Sequence, residues 1–484
     1  MSALDPARSE DQRRRQLERL EMDVVRLQVA SGRVSAERVA LTLRYVLSFA
    51  RLTLVRNALG EDVEVTGHLA AHARFVRDTL SPRLSNTVAL ESLEPLLPDL
   101  ISRTCQVRDE LLRSTSLSRD ILEEEVTTRP LVVVSGGGGG AGYVYPGAYE
   151  AIERVGHIPQ LMVGTSIGAL LSMFRCRRRR WDLAPLVAAS RSLSWGGVFR
   201  VLEGENRYGL PATLRLHLQA ALGHIFQHPS GRPLWLSDLP IPLMVVVSGI
   251  TVDALQHELK HYEHLMDASI RRSRPTWMIG GSFKIFRTLS EFVSKRDALV
   301  QVVLGRDPGT EDFDVIDAAG FSSAIPSVIH YDVLRDDPRM HRMLDRLFTR
   351  TGISRIGEGG LMSNVPARVA WEAVQAGKLG RRNALVVALD CFAPNFRQPG
   401  WLALQSLIRW ANTEADRQYA DLYVHFPRTL SPVNLVPAMP EALKAFKWGR
   451  VAMEAHTPIL KAALEPLPVL HATGDLVQNT GTAG

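Results

Sequence analysis

The chain has little cysteine: Cys105, Cys176 and Cys391 are the only three in 484 residues. An odd number, widely spaced, excludes a disulfide framework and suits a reducing, cytoplasmic compartment. An apolar leader is missing too. The opening MSALDPARSEDQRRRQLERL is charged throughout, so no secretory signal is expected there. Long hydrophobic runs are absent as well. The nearest, Ala40 to Val55, carries Arg44 and Arg51. It falls short of the ~20 apolar residues of a spanning helix, which leaves a buried or interfacial helix as the expectation. Neither internal repeats nor low-complexity tracts occur. The motifs and aromatic platforms of nucleic-acid binding are likewise missing, although a formal net charge of +6 favours anionic surfaces.

What remains is a globular composition, 45% hydrophobic and 22% charged, long enough for two or three cores. Residues 12 to 125 show helical periodicity, with Leu17, Leu20, Val24, Val39, Leu43 and Val46 on apolar faces and breaks at Ser31-Gly32 and Gly60-Glu61. The pattern changes near residue 128. Short apolar runs at 131–134, 161–163, 242–250, 298–304, 384–389 and 421–426 then alternate with helical stretches, including one from about Pro146 to Val155 and one from Ile167. That alternation predicts a mainly parallel sheet covered on both faces. The boundaries so read are a helical domain over 1–127, an α/β domain over 128–430, and a helical extension with a tail over 431–484.

The first α/β turn is unusual. VVVSGGGGGAGYVYPGAYEAIERVG, Val132 to Gly156, feeds a strand into five consecutive glycines and then a helix. A triphosphate loop would end in Gly-Lys-Ser/Thr, but Gly142 is followed by Tyr143 and Val144. A dinucleotide fingerprint on Gly137, Gly139 and Gly142 would need an acidic residue ending the next strand, which ends instead in Gly164-Thr165-Ser166. A third use accounts for that serine: backbone N–H groups of the loop forming an oxyanion hole beside a nucleophile, Ser166 in Gly164-Thr165-Ser166-Ile167-Gly168. Its base is sought in IGEGGLMSNVPARVAWEA, Ile356 to Ala373. Glu358 there sits in a tight turn before a helix expected to open at Asn364-Val365-Pro366.

With these pieces in order, the chain resembles the patatin-like phospholipases. The family pairs a glycine-rich oxyanion loop with a G-x-S-x-G nucleophile turn and a D-G-G or D-G-A turn followed by N-x-P. A small-residue stretch like AAGFSSAIPSVI, Ala318 to Ile329, precedes the acid. The resemblance covers residues 130 to about 430. It implies a three-layer α/β/α sheet, here with an additional N-terminal all-helical domain, and a Ser–acid dyad without histidine. Carried over, Ser166 and Glu358 are the dyad, and Gly137, Gly138, Gly139, Gly140 and Gly142 form the oxyanion loop. Gly164 and Gly168 flank the nucleophile, and Gly359 and Gly360 make the acid turn. The implied substrate is a phospholipid or lysophospholipid, met by peripheral membrane contact, with no cofactor, metal or nucleic acid. Two departures stand out: Ala141 where the family carries Arg or Lys, and Glu358 where it carries Asp.

Other readings compete. A weak or silent scaffold binding lipid or protein is the alternative from another class. HELKH, His257 to His261, fits the zincin pattern and implies a metallopeptidase, with no clear third ligand. Asp390, ending the strand at 384–389, is a substitute base, or an acid capping a loop. The run Arg175, Arg177, Arg178, Arg179, Arg180 reads as cations at a helix C-terminus or as a patch for anionic lipid.

Overall fold

The computed structural model describes residues 6–85, 89–201, 207–210, 212–251, 299–325, 327–392 and 413–477. The chain divides into two compact units with borders unlike those read from sequence. One takes residues 1–131, 371–386 and 456–484; the other takes 132–370 and 387–455.

The first unit is built on helices α1 (Pro6–Ser31), α2 (Val34–Ala50), α3 (Thr66–Leu84), α4 (Leu97–Ser114) and α5 (Arg119–Thr127). Gly32, at φ 61°, breaks α1 from α2 where the sequence marked it. The apolar stretch beginning at Ala40 is a buried helix only as far as Ala50. Leu54–Arg56 (β1) then pairs antiparallel with Asp62–Glu64 (β2), a hairpin that the helical reading missed. Its turn is closed by Asn57, whose side-chain oxygen accepts the Leu59 and Glu61 N–H groups, and by Gly60 at φ 80°. Three-residue strands are too short to show a period of two.

Charge is buried in this unit as ion pairs. Glu21 is wholly buried among Arg51, which donates to it, and Arg44 and Arg129, each 3.6 Å away. Burial pushes its pKa up, but the three guanidiniums, Arg51 foremost, hold it at about 2. The stabilisation is complete above the ordinary carboxyl value of 4.5 and is lost as pH falls toward 2. Glu21→Ala should strand three buried cations and destabilise by ~3–5 kcal/mol. A urea midpoint unchanged from wild type would contradict this.

The second unit holds the sheet. Its order is β10-β7-β4-β3-β11-β12, with β8 also paired to β7. These strands are β3 (Leu131–Ser135), β4 (Leu161–Gly164), β7 (Leu243–Thr251), β8 (Leu299–Leu304), β10 (Ile353–Gly357), β11 (Leu385–Asp390) and β12 (Leu422–His425). The pairs β3–β4, β4–β7 and β11–β12 are parallel; β8 and β10 run antiparallel to β7. Every residue of β3, β4 and β11 is buried, the mark of strands covered on both faces. The α/β class and the helical N-terminal region expected from the sequence are both present. Helices α6 (Tyr145–Arg154) and α7 (Ile167–Cys176) start within two residues of the expected positions. A smaller sheet, β5 (Phe199–Val201), β6 (Ala212–Leu216) and β9 (Ser327–His330), escaped the sequence reading, as did β10.

One irregularity positions everything that follows. β8 occupies one edge of β7 over Val245–Ile250, so β4 and β10 must share the other. β4 runs up that edge and stops with Gly164 opposite Val245; β10 runs down it and stops with Gly357 opposite Ser248. The two strands therefore point their C-terminal ends at each other across three residue steps of β7, Val245 to Ser248, ~10 Å. Thr165-Ser166 leaves from one side of the gap and Glu358 from the other.

Candidate active site

Ser166 lies between β4 and α7 at φ 54°, ψ −128°. Among the described residues it is the one non-glycine with positive φ. Such strain marks a sharp strand-to-helix turn that thrusts the side chain out of the sheet. The turn closes only if Gly168 stays bare: a Cβ there would stand 2.1 Å from the Ser135 carbonyl oxygen, and one at Gly164 would be 2.6 Å from Ala169 Cα. Its backbone is pinned from two sides. Thr165 N–H donates to Ser135 O at 3.1 Å, and Ser166 N–H donates to Ser322 Oγ at 2.8 Å. Ser322 in turn donates to Val246 O at 2.6 Å, so β7 holds the elbow through one hydroxyl.

Glu358 faces it. Ser166 Oγ donates to Glu358 Oε2 at 3.3 Å, while Gly360 N–H donates to Oε1 at 3.3 Å. The glutamate backbone is fixed at both ends: its N–H donates to Ala324 O at 3.0 Å, and its carbonyl accepts Ser248 Oγ at 2.7 Å. A Cβ on Gly359 would come within 2.1 Å of Val246 O, so this turn too depends on bare backbone. Burial raises the Glu358 pKa to about 8, outweighing the two hydrogen bonds that favour the charged form.

The glycine loop closes the third side. Gly136 N–H donates to Leu389 O, Gly137 N–H to Asn364 O, and Gly140 N–H to Pro432 O. Gly142 lies within the 3₁₀ turn Gly139–Val144. Gly138 and Gly139 N–H find no acceptor among the described residues. Gly139, at φ 54° with Pro432 O 2.2 Å from any Cβ, admits no side chain. The helix after the acid turn begins at Ala367, three residues later than the sequence suggested. Asn364 is not its cap; its carbonyl anchors Gly137 instead.

An apolar pocket of about 100 Å³ opens beside Ser166 and Gly139, walled by Tyr143, Leu170, Phe174, Leu186, Phe199 and Ile329 among others. The remaining sequence candidates lie elsewhere. Asp390 accepts the Phe392 N–H at 2.9 Å and Tyr423 OH at 3.1 Å, the loop-capping role. Arg175 is buried and donates to the Arg178 and Arg179 carbonyls, tying off the end of α7. His257 to His261 fall outside the described residues. Among the described residues, no cluster of His, Cys, Asp and Glu could hold a metal, and no helix is long and apolar enough to cross a membrane. Sequence reading missed Ser322 and Ser248. Ser322 sits in the small-residue stretch Ala318–Ile329, whose smallness signalled close packing but not which hydroxyl does the pinning.

Residues 132–371 match the family model described as patatin-like phospholipase. This domain belongs to the patatin-like phospholipases. The match takes in the glycine loop, the nucleophile turn and the acid turn together. The match sets this domain among lipid acyl hydrolases. No curated protein matches the chain.

Proposed function

We propose that this patatin-like domain hydrolyses carboxylic ester bonds of a glycerophospholipid or lysophospholipid, with Ser166 as nucleophile and Glu358 as base. The observation that carries the reading is the 3.3 Å contact between the strained Ser166 hydroxyl and a buried carboxylate on the facing strand end. In this mechanism ionised Glu358 accepts the hydroxyl proton as Ser166 Oγ attacks the ester carbonyl. The charge that develops on the carbonyl oxygen is met by the Gly138 and Gly139 N–H groups, the loop donors that hold no other partner. Glu358 then returns the proton to the leaving alcohol; later it takes one from the attacking water and passes it to Ser166 Oγ as the acyl group leaves. The acyl chain has the apolar pocket to occupy. Substrate insolubility brings the domain to the cytoplasmic face of a membrane as a peripheral protein.

A fluorophosphonate probe tests the reading. One serine should be labelled, and mass spectrometry should place the adduct on Ser166; label elsewhere, or none, removes the nucleophile. Ser322→Ala gives a subtler check. Without the hydroxyl, the Ser166 N–H loses its acceptor and the elbow its tie to β7. We expect kcat to fall ~10–100-fold with KM little changed and with the pH profile unmoved, because a misplaced nucleophile affects only the chemical step. An unaltered kcat would free Ser322 from this role.

A further inference from the structure

The pocket wall reaches the surface at a tryptophan. Trp195 is 49% exposed, in the short Trp-Gly-Gly turn that follows the helix Ala184–Ser192. Its ring packs on Phe199, centroids 4.6 Å apart, and Phe199 lines the pocket beside Ser166. A second exposed apolar residue, Val433 at 55%, lies two positions before the pocket residue Leu435. The two segments wall the same pocket, Leu193, Val198 and Phe199 from one and Leu435 and Val436 from the other. Charge follows the same pattern. Residues 183–201 hold Arg191 and Arg200 with no acid, and 427–436 hold Arg428 with no acid. Arg191, Arg200 and Arg428 are all exposed. The nearest acids beyond Arg200, Glu203 and Glu205, lie outside the described residues. The arginine run at 177–180 does not share this rim, because α7 carries the chain ten residues, ~15 Å, away from Ser166 before it.

We propose that the rim formed by Trp195, Val433, Arg191, Arg200 and Arg428 docks the domain on an anionic lipid bilayer and delivers lipid from it into the Ser166 pocket. This rests on the lipid-hydrolase reading for the fate of the lipid, but not for docking itself. An indole half in water and half on apolar packing is the group that sits at a headgroup boundary. The exposed Arg191, Arg200 and Arg428 of the same two segments supply attraction to acidic headgroups.

Co-sedimentation of the full chain with vesicles tests the surface. Vesicles of phosphatidylcholine with one-third phosphatidylglycerol should bind it, and pure phosphatidylcholine vesicles should bind at least tenfold more weakly. Trp195→Ala should lower binding to the mixed vesicles about tenfold, and each of Arg191→Gln, Arg200→Gln and Arg428→Gln about fivefold. Turnover of a water-soluble short-chain p-nitrophenyl ester should stay at the wild-type level in all four, which also shows that they fold. Binding that ignores Trp195, or that is equal on both vesicle types, overturns the proposal. Failure to bind either vesicle does so as well. If fluorophosphonate leaves Ser166 unlabelled while vesicle binding still depends on Trp195, the hydrolase reading falls and the docking surface stands.

Discussion

Ser166→Ala should abolish ester hydrolysis, lowering kcat by ~10⁴–10⁶, the scale on which nucleophile removal acts in serine hydrolases. The change deletes a single oxygen. Alanine and serine carry the same Cβ, so the strain at φ 54° is common to both and the turn should fold as before. Among the described residues, the hydrogen bond to Glu358 is the only one its side chain makes. Unchanged secondary structure and melting temperature, together with loss of both hydrolysis and fluorophosphonate labelling, are the expected result. Retained turnover of a p-nitrophenyl ester would show that another group does the chemistry.

Glu358→Gln should cost ~10²–10⁴ in kcat/KM, since the amide keeps size and hydrogen bonding but cannot take the proton. Wild-type activity in this variant would remove Glu358 from the mechanism. With the Glu358 pKa raised to about 8, only about a tenth of the enzyme carries the base ionised at pH 7. A base must be deprotonated to act, so kcat/KM should climb roughly tenfold per pH unit below 8 and level off above it. An activity constant from pH 6 to 9 would contradict that assignment. Glu358→Asp addresses the family's usual acid. The turn spreads the longer side chain between Gly360 N–H and Ser166 Oγ, both at 3.3 Å. Shortening by one methylene withdraws the carboxylate by ~1 Å, a displacement worth ~100-fold in rate. Aspartate should therefore serve less well as the base here; a gain in activity would mean that the turn is still shaped for the shorter residue.

The absence of a cation is part of the same picture. Ala141 occupies the loop position where the family resemblance implies Arg or Lys. Burial is the leading influence on Glu358, and only two hydrogen bonds oppose it. A nearby positive charge would have held the carboxylate ionised at lower pH.

Much of this was legible in the residues themselves. Runs such as LVVV and LMV become buried strands because uniform apolarity suits a sheet covered on both faces. Gly164, Gly168 and the loop Gly136–Gly140 announce close backbone approaches, since no other residue tolerates them. The order of glycine loop, serine turn and acid turn is a local property of the chain, and local signals survive in sequence. The meeting of Ser166 with Glu358, 192 positions apart, does not. It comes from β4 and β10 ending face to face along one edge of β7, a consequence of register and strand direction. Neither shows in the pattern of β10, ISRIG, whose mixed burial is too short to read. Choosing Gly138 and Gly139 from a row of equivalent glycines likewise needed the fold, because partners at Leu389, Asn364 and Pro432 show which N–H groups are already taken. Sequence determined which chemical groups were to hand; long-range pairing decided which of them touch, because contact across the chain depends on strand register that no short stretch encodes.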